Sequence, residues 1–265
     1  MIPNAGIGNP PYNDGSAARV PIYPTILKNY SLAIPDFTFQ VIPANWFSQP
    51  DSTVGKSVRS SLKKLGLYKI KLNPYETFTT AKVKTCTVFC RKGYQGSILL
   101  EDLDTGKSSN ILNFDDQILY TADPAELNLL YRLRPDQQWT THEGSKKDQM
   151  KWRIATSYRK ENFEQVPLNP LKVIEPYYKS ESGYRIFSSF HTEQEALDAL
   201  PKYQSFWSSD LVVWILKKTR TSTTLDNPQL AWVPKITVDR LFTNDDINRI
   251  FELSKTDLGV LYGSN

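Results

Sequence analysis

The 265-residue sequence predicts an α/β fold in its first part and an α+β arrangement in its second. Three observations carry that expectation. Over residues 1–95, short runs with period-two apolar alternation interleave with runs of helical spacing, the pattern of strands alternating with helices in a largely parallel sheet. Beyond about residue 95 the pattern changes to a hairpin and then to mixed strands and helices. Hydrophobic residues make up 40% of the chain, ample for a core in one large domain or two ordinary ones.

The elements follow in order. "AGIG" (5–8) reads as a short strand of small residues running into "NPPY" (9–12). Two consecutive prolines remove two backbone donors and fix two φ angles, so Asn9 to Tyr12 form a stiff loop. A helix follows in "VPIYPTILKNYSLAI", with Ile22, Ile26, Leu27 and Tyr30 at helical spacing and Pro21 near the first turn. "DFTFQVIPANWF" is a strand with Phe37, Phe39 and Val41 alternating until Pro43. "STVGKSVRSSLKKLGLY" is a helix with Val54, Val58, Leu62 and Leu65 on one stripe and Gly66 as its stop. "KIKLN" and "AKVKTCTVFCRKG" supply two more strands, the second with Val83, Cys86, Val88 and Phe89 as its apolar content.

Later, "ILLEDLDTGKSSNILNF" predicts a hairpin across Asp104-Thr105-Gly106, and "PAELNLLYRLR" an amphipathic helix. The domain boundary is placed at that helix, giving residues 1–130 and 131–265. In "KKDQMKWRIATSYRKEN" a strand puts Trp152, Ile154, Thr156 and Tyr158 on one face and Arg153, Ala155, Ser157 and Arg159 on the other. "HTEQEALDAL" opens with a capping box of Thr192 and Glu195, "DLVVWILKKTRT" is helix or strand, and "FTNDDINRIFELSKTDL" is a helix capped by Thr243 with Asp246 three residues on.

Several function classes are excluded. The longest apolar runs, such as "DLVVWIL", fall far short of the roughly 20 residues of a membrane span, and the N-terminus has no export pattern. A cytoplasmic protein without membrane association is expected. The two cysteines, Cys86 and Cys90, would make a strained bridge on one strand and have no second ligand pair for zinc, so they read as small buried apolar side chains. His142 and His191 have no partner at ligand spacing, and no metal site is expected. "EDLDTGK" has the residue types of a nuclease site, but its Asp-Thr-Gly is a turn.

Charge is uneven. Residues 1–100 carry nine Lys and three Arg against three Asp and one Glu, a balance of +8, while the remainder carries −4. Such an excess fits either a polyanion nearby or a solvated basic face. Lys63, Lys64, Lys69 and Lys71 form an exposed face or touch DNA. Lys146, Lys147, Lys151, Arg153, Arg159 and Lys160 could contact phosphates with Trp152 or Tyr158 near a base, or lie on a solvated strand.

At the carboxyl end of a strand in an α/β sheet, where ligands bind, the NPPY loop has a definite chemistry. The Asn9 side-chain oxygen and the Pro10 carbonyl are acceptors at a fixed separation, and the Tyr12 ring can stack on a planar ligand. That describes a site for a flat ring with an amino group. Accepting both amino hydrogens makes the nitrogen nucleophilic without a charged base, and a base in duplex DNA reaches such a pocket only by being flipped out.

"GNPPYN", a helix, "VIPANWF", the basic helix "VRSSLKKLGLYKI" and "FTTAKVKTCTVFCRKG", in that order, resemble the catalytic half of the adenine-specific N6 DNA methyltransferases of restriction-modification systems. The resemblance implies a partial Rossmann-like methyltransferase sheet. It implies that Asn9, Pro10 and Tyr12 hold the adenine and activate N6, that Pro11 stiffens the loop, and that Phe78 walls the base pocket. The segment from "YRIFSSFHTEQEALDALPKYQSFW" to "WVPKITVDRLFTNDDINRIFEL" is similar to the family's target-recognition region, making double-stranded DNA the implied partner.

The sequence departs from the family in one respect. The family's S-adenosylmethionine site is a glycine-rich turn plus a following acidic residue, both ahead of NPPY. Only Met1 to Gly8 precede it here, whereas a β-α-β unit needs about 30 residues. The expectation is a chain without the cofactor motif, acting with a missing N-terminal half or a partner polypeptide, or self-associating to cover an unpaired strand edge at "AGIG". The alternative is a truncated, non-catalytic relative serving as a DNA- or protein-binding module.

Overall fold

The computed structural model describes residues 4–15, 20–33, 35–47, 52–74, 77, 84–111, 121–134, 151–157, 171–176, 184–219 and 230–263. The chain divides into two units, Met1–Leu127 and Asn128–Asn265.

In the first unit a six-stranded mixed sheet has the order β1-β2-β4-β3-β5-β6, formed by β1 (Ala5–Gly8), β2 (Phe37–Pro43), β3 (Leu67–Leu72), β4 (Thr85–Arg91), β5 (Ile98–Asp102) and β6 (Ser108–Ile111). The β1/β2 and β3/β5 pairs are parallel, but β4 lies antiparallel between β2 and β3, and β6 antiparallel to β5. The expectation of a largely parallel sheet is thereby corrected. Among the described residues no α-helix lies between β3 and β4, and a parallel neighbour needs a crossover of a dozen residues or more.

Two helices, α1 (Tyr23–Ala33) and α2 (Thr53–Leu65), pack on one another and close one core with the sheet. In α1 the buried stripe is Tyr23, Leu27 and Ser31, with Pro24 in the first turn where its missing N–H costs nothing. Of the expected stripe of Ile22, Ile26, Leu27 and Tyr30, Leu27 is buried and Tyr30 packs against the core, while Ile22 and Ile26 are half-buried. Ser52 caps α2 by accepting from the Gly55 N–H at 2.9 Å, and Gly66 ends it at φ 74°. A Cβ at Gly66 would stand 2.1 Å from the Arg91 carbonyl oxygen, so the stop is enforced by close backbone approach as well as by φ. Val58, Leu62 and Leu65 meet Ile70 and Leu72 of β3, and Cys86, Val88 and Cys90 of β4, all buried.

The face of β2 toward this core is Thr38, Gln40 and Ile42, all buried, while the alternating Phe37, Phe39 and Val41 lie half-buried on the opposite face. There Phe39 and Phe89 pair across strands, rings edge to face at 5.4 Å. The hairpin at Asp104-Thr105-Gly106 is present, with Gly106 at φ 68° and its N–H donating to the Asp102 carbonyl at 2.9 Å.

Helix α3 (Pro124–Leu133) spans the division between the units. In the second unit β7 (Trp152–Ser157), β8 (Lys172–Ile174) and β9 (Tyr184–Phe190) make an antiparallel sheet in the order β8-β7-β9. It is followed by α4 (Glu193–Trp207), α5 (Asp210–Thr219), α6 (Asn244–Ile250) and α7 (Lys255–Tyr262). The segment "DLVVWILKKTRT" gives the helix α5. The final helix of the sequence reading is two helices, because Glu252 takes φ 49° and Ser254 with Asp257 forms a further capping box. No helix among the described residues is long and apolar enough to cross a membrane.

Candidate functional site

Strand β3 runs parallel to β2, since both are antiparallel to β4 between them, so β1, β2, β3 and β5 all end at the same edge of the layer. An asparagine follows, within three residues, each of the first three. Asn9 comes after β1, Asn45 after β2 and Asn73 after β3. Their environments differ. Asn73 is buried, its Nδ2 donating to Thr85 Oγ1 and its Oδ1 accepting from the Thr87 hydroxyl, both at 3.1 Å. Asn45 is half-buried and its Oδ1 accepts from the Tyr23 hydroxyl at 2.9 Å. Asn9 is exposed. Of the three amides, it is the one presented to a ligand from solution.

The loop that carries Asn9 is braced behind it. Pro10 is buried while Pro11 is exposed. The Tyr12 carbonyl accepts from the Ile22 N–H at 3.3 Å, Asn13 bridges to Pro21, and the Asp14 N–H donates to the Val20 carbonyl at 3.0 Å. The chain thus folds back on itself and enters α1 directly. The Tyr12 ring is half-buried with its hydroxyl turned inward toward Cys86, and burial first, then that thiol, raises the phenol above its ordinary value. Burial and Cys86 raise Tyr23 in the same way. Both phenols stay neutral near pH 7.

Cys86 itself is fully buried, and burial pushes its thiol far up despite a hydrogen bond from the Trp46 indole. Cys90 is pushed up to about 12 by burial alone. Neither is a nucleophile at neutral pH. Among the described residues no group of three or more His, Cys, Asp or Glu is arranged to hold a metal ion.

The glycines of β1 test whether this segment could cradle a cofactor. A Cβ on Gly6 would stand 2.5 Å from the Tyr30 ring, and one on Gly8 would stand 2.8 Å from Gln40 Oε1. The space the glycines leave is filled by the chain's own side chains. "AGIG" therefore serves close packing and does not fit an S-adenosylmethionine cradle.

The proposed DNA contacts are scattered among different environments. Lys63 and Lys64 are exposed in the last turn of α2, where they favour the carboxyl end of its dipole. Lys69 and Lys71 are half-buried and share Glu101 at 2.7 and 3.7 Å, so one carboxylate offsets one of the two charges and holds both side chains against the sheet. Lys151 is half-buried. Arg153 is only 2% exposed and its Nη2 donates to the Glu175 carbonyl at 3.1 Å, so it holds β7 to the end of β8 and cannot reach a phosphate. Phe78, Lys146, Lys147, Arg159 and Lys160 lie outside the described residues, as does His142.

Sequence reading overlooked Asn45 and Tyr23, although both lie beside strand ends that the carboxyl-edge rule marks out. It also overlooked the buried polar residues Gln40 and Arg59. Arg59 is 5% exposed, donates to the Trp46 and Phe47 carbonyls at 3.5 and 3.4 Å, and stacks over Trp46. It locks the turn after β2 to α2.

No protein-family model matches the chain, and no curated protein matches it. Among solved structures it is similar to the methyltransferase subunit of a type I restriction-modification system from Streptococcus thermophilus, with 15% identity and a TM-score of 0.29. The likeness covers 42% of this chain and 29% of that one, so it spans less than a third of that subunit.

Proposed function

We propose that this chain is the base-binding and DNA-recognition part of a site-specific adenine-N6 DNA methyltransferase. The observation that carries the reading is the NPPY loop at the carboxyl end of β1, with Asn9 exposed on a loop braced through Pro10 and Tyr12. In this reading a flipped-out adenine lies along the Tyr12 ring. The Asn9 Oδ1 and the Pro10 carbonyl each accept one N6 hydrogen, which concentrates electron density on nitrogen and turns its lone pair out of the ring plane. Pro11 holds the two acceptors in place, and Phe78 is assigned to the pocket wall. The neutral Tyr12 supplies a ring face with no competing charge.

The methyl donor of this chemistry is S-adenosylmethionine. Since the β1 glycines are filled by Tyr30 and Gln40, its binding is assigned to another polypeptide or to a further segment. The second unit is assigned to target recognition on double-stranded DNA. Lys63, Lys64, Lys146, Lys147, Lys151, Arg159 and Lys160 are its and its neighbour's phosphate contacts. Calorimetric titration with S-adenosylmethionine, before and after adding adenine-containing duplex, tests the assignment. The reading expects no tight binding by the chain alone. Tight binding without DNA would contradict the division of labour and place a cofactor site in these residues.

A further inference from the structure

We infer that Gln40 is a positioning residue for the NPPY loop, a hydrogen-bonding group held for the state in which the loop has closed on its ligand. This rests on the base-site reading above. Gln40 is 1% exposed, and neither its Oε1 nor its Nε2 has a hydrogen-bond partner among the described residues. A buried primary amide left unpaired is worse for the folded chain than an apolar side chain of the same shape. Some other state must use it, or a buried water must satisfy it.

The location favours another state. Gln40 pairs across the parallel ladder with Gly8, the residue immediately before Asn9. Its Oε1 lies 2.8 Å and its Nε2 3.3 Å from where a Gly8 Cβ would be. The amide is thus packed against the Cα at which β1 becomes the loop. Two residues earlier Thr38, opposite Gly6, is also 1% exposed with its hydroxyl unpartnered among the described residues, while two residues later Ile42 continues the same face as plain apolar core. The polar stripe runs under the glycine strand alone. Gly8 carries no side chain to restrain the peptide that joins it to Asn9. When the loop tightens on a bound ring, that peptide turns and its polar groups come within reach of the Gln40 amide. A ligand that favours the tightened loop then gains from a pair absent in the free chain.

The test measures two properties whose changes have opposite signs. Thermal unfolding of the free chain is compared with binding of a labelled oligothymidylate carrying one central adenine, read against the all-thymidylate strand. The chains are the unsubstituted protein, Gln40→Met, Gln40→Leu and Asn9→Ala. The inference expects both Gln40 substitutions to raise Tm, because an unpaired amide is removed, and to weaken the adenine-dependent binding about tenfold. A lower Tm with unchanged adenine preference identifies an amide satisfied by a buried water and overturns the inference. A raised Tm with unchanged preference also overturns it, and so does a lower Tm with weaker binding, which general loss of structure explains. If Asn9→Ala loses the preference while Gln40→Met keeps it, this inference alone fails. If the unsubstituted chain shows no adenine preference at all, the base-site reading fails and this inference falls with it.

Discussion

The two units differ in the polar groups that hold their helices. In the first, Thr38, Gln40, Arg59 and Asn73 are buried around the sheet, Arg59 donating to the Trp46 and Phe47 carbonyls and Asn73 bonding the Thr85 and Thr87 hydroxyls. In the second, carboxylates sit at helix starts. Three capping boxes, Thr192 with Glu195, Thr243 with Asp246 and Ser254 with Asp257, satisfy the first N–H groups of α4, α6 and α7. The difference teaches where each unit is sensitive. The first depends on packing around buried amides, hydroxyls and the Arg59 guanidinium, and the second has an acid-sensitive contribution at its helix ends.

The largest expected effect strikes the first unit. Trp46 is 1% exposed, packs edge to face on Phe47 and lies under Arg59, so Trp46→Ala costs about 4 kcal/mol, read as a lowered denaturant midpoint. Next comes Gly66→Ala, at least about 2 kcal/mol, because the left-handed φ and the Arg91 carbonyl both oppose a Cβ. In the second unit Ser254→Ala costs about 1 kcal/mol by uncapping α7, measured in the same way.

The smallest effect, and the one that sharpens the contrast, is acid sensitivity. The Thr192 N–H holds Glu195 below its ordinary 4.5, and the Thr243 N–H holds Asp246 below its ordinary 3.8. Burial pushes Asp257 up, but the Ser254 hydroxyl and N–H and the Arg132 guanidinium bring it below 3.8 as well. Folded-state values below unfolded ones give stability that is fully present above the ordinary values and lost as pH falls through the lowered ones. Hydrogen exchange of the first-turn amides of α4, α6 and α7 should rise as pH drops below about 4, after correction for intrinsic rates. Protection in α2 should not follow that course, since its cap is Ser52 with no acidic residue in the first turn. Equal loss in α2 would break the comparison.

What the sequence made legible follows from how local each signal is. The stripe of Val58, Leu62 and Leu65, the stop at Gly66, the Gly106 turn and the Thr192 and Thr243 caps are decided within a few residues, and the structure has them. The antiparallel insertion of β4 and the burial of Gln40 depend on partners tens of residues away. Alternation in "FTFQVI" marked two faces, but it could not say which one meets the helices. Arg153 was misassigned for a related reason. Both faces of β7 are buried, so a cation there is held by the Glu175 carbonyl and not by solvent. At the site, the NPPY loop was legible because two prolines dictate it. Asn45, Tyr23 and Cys86 join it only through the meeting of strand ends.

The most direct test observes Asn9 itself. In a 15N-labelled chain the Asn9 side-chain NH2 resonances are identified by their loss in Asn9→Ala, and the oligothymidylate with one central adenine is then titrated. The account predicts that these resonances shift with the adenine strand and stay in place with the all-thymidylate strand. Resonances that respond equally to both strands, or to neither, would contradict an adenine site at the NPPY loop.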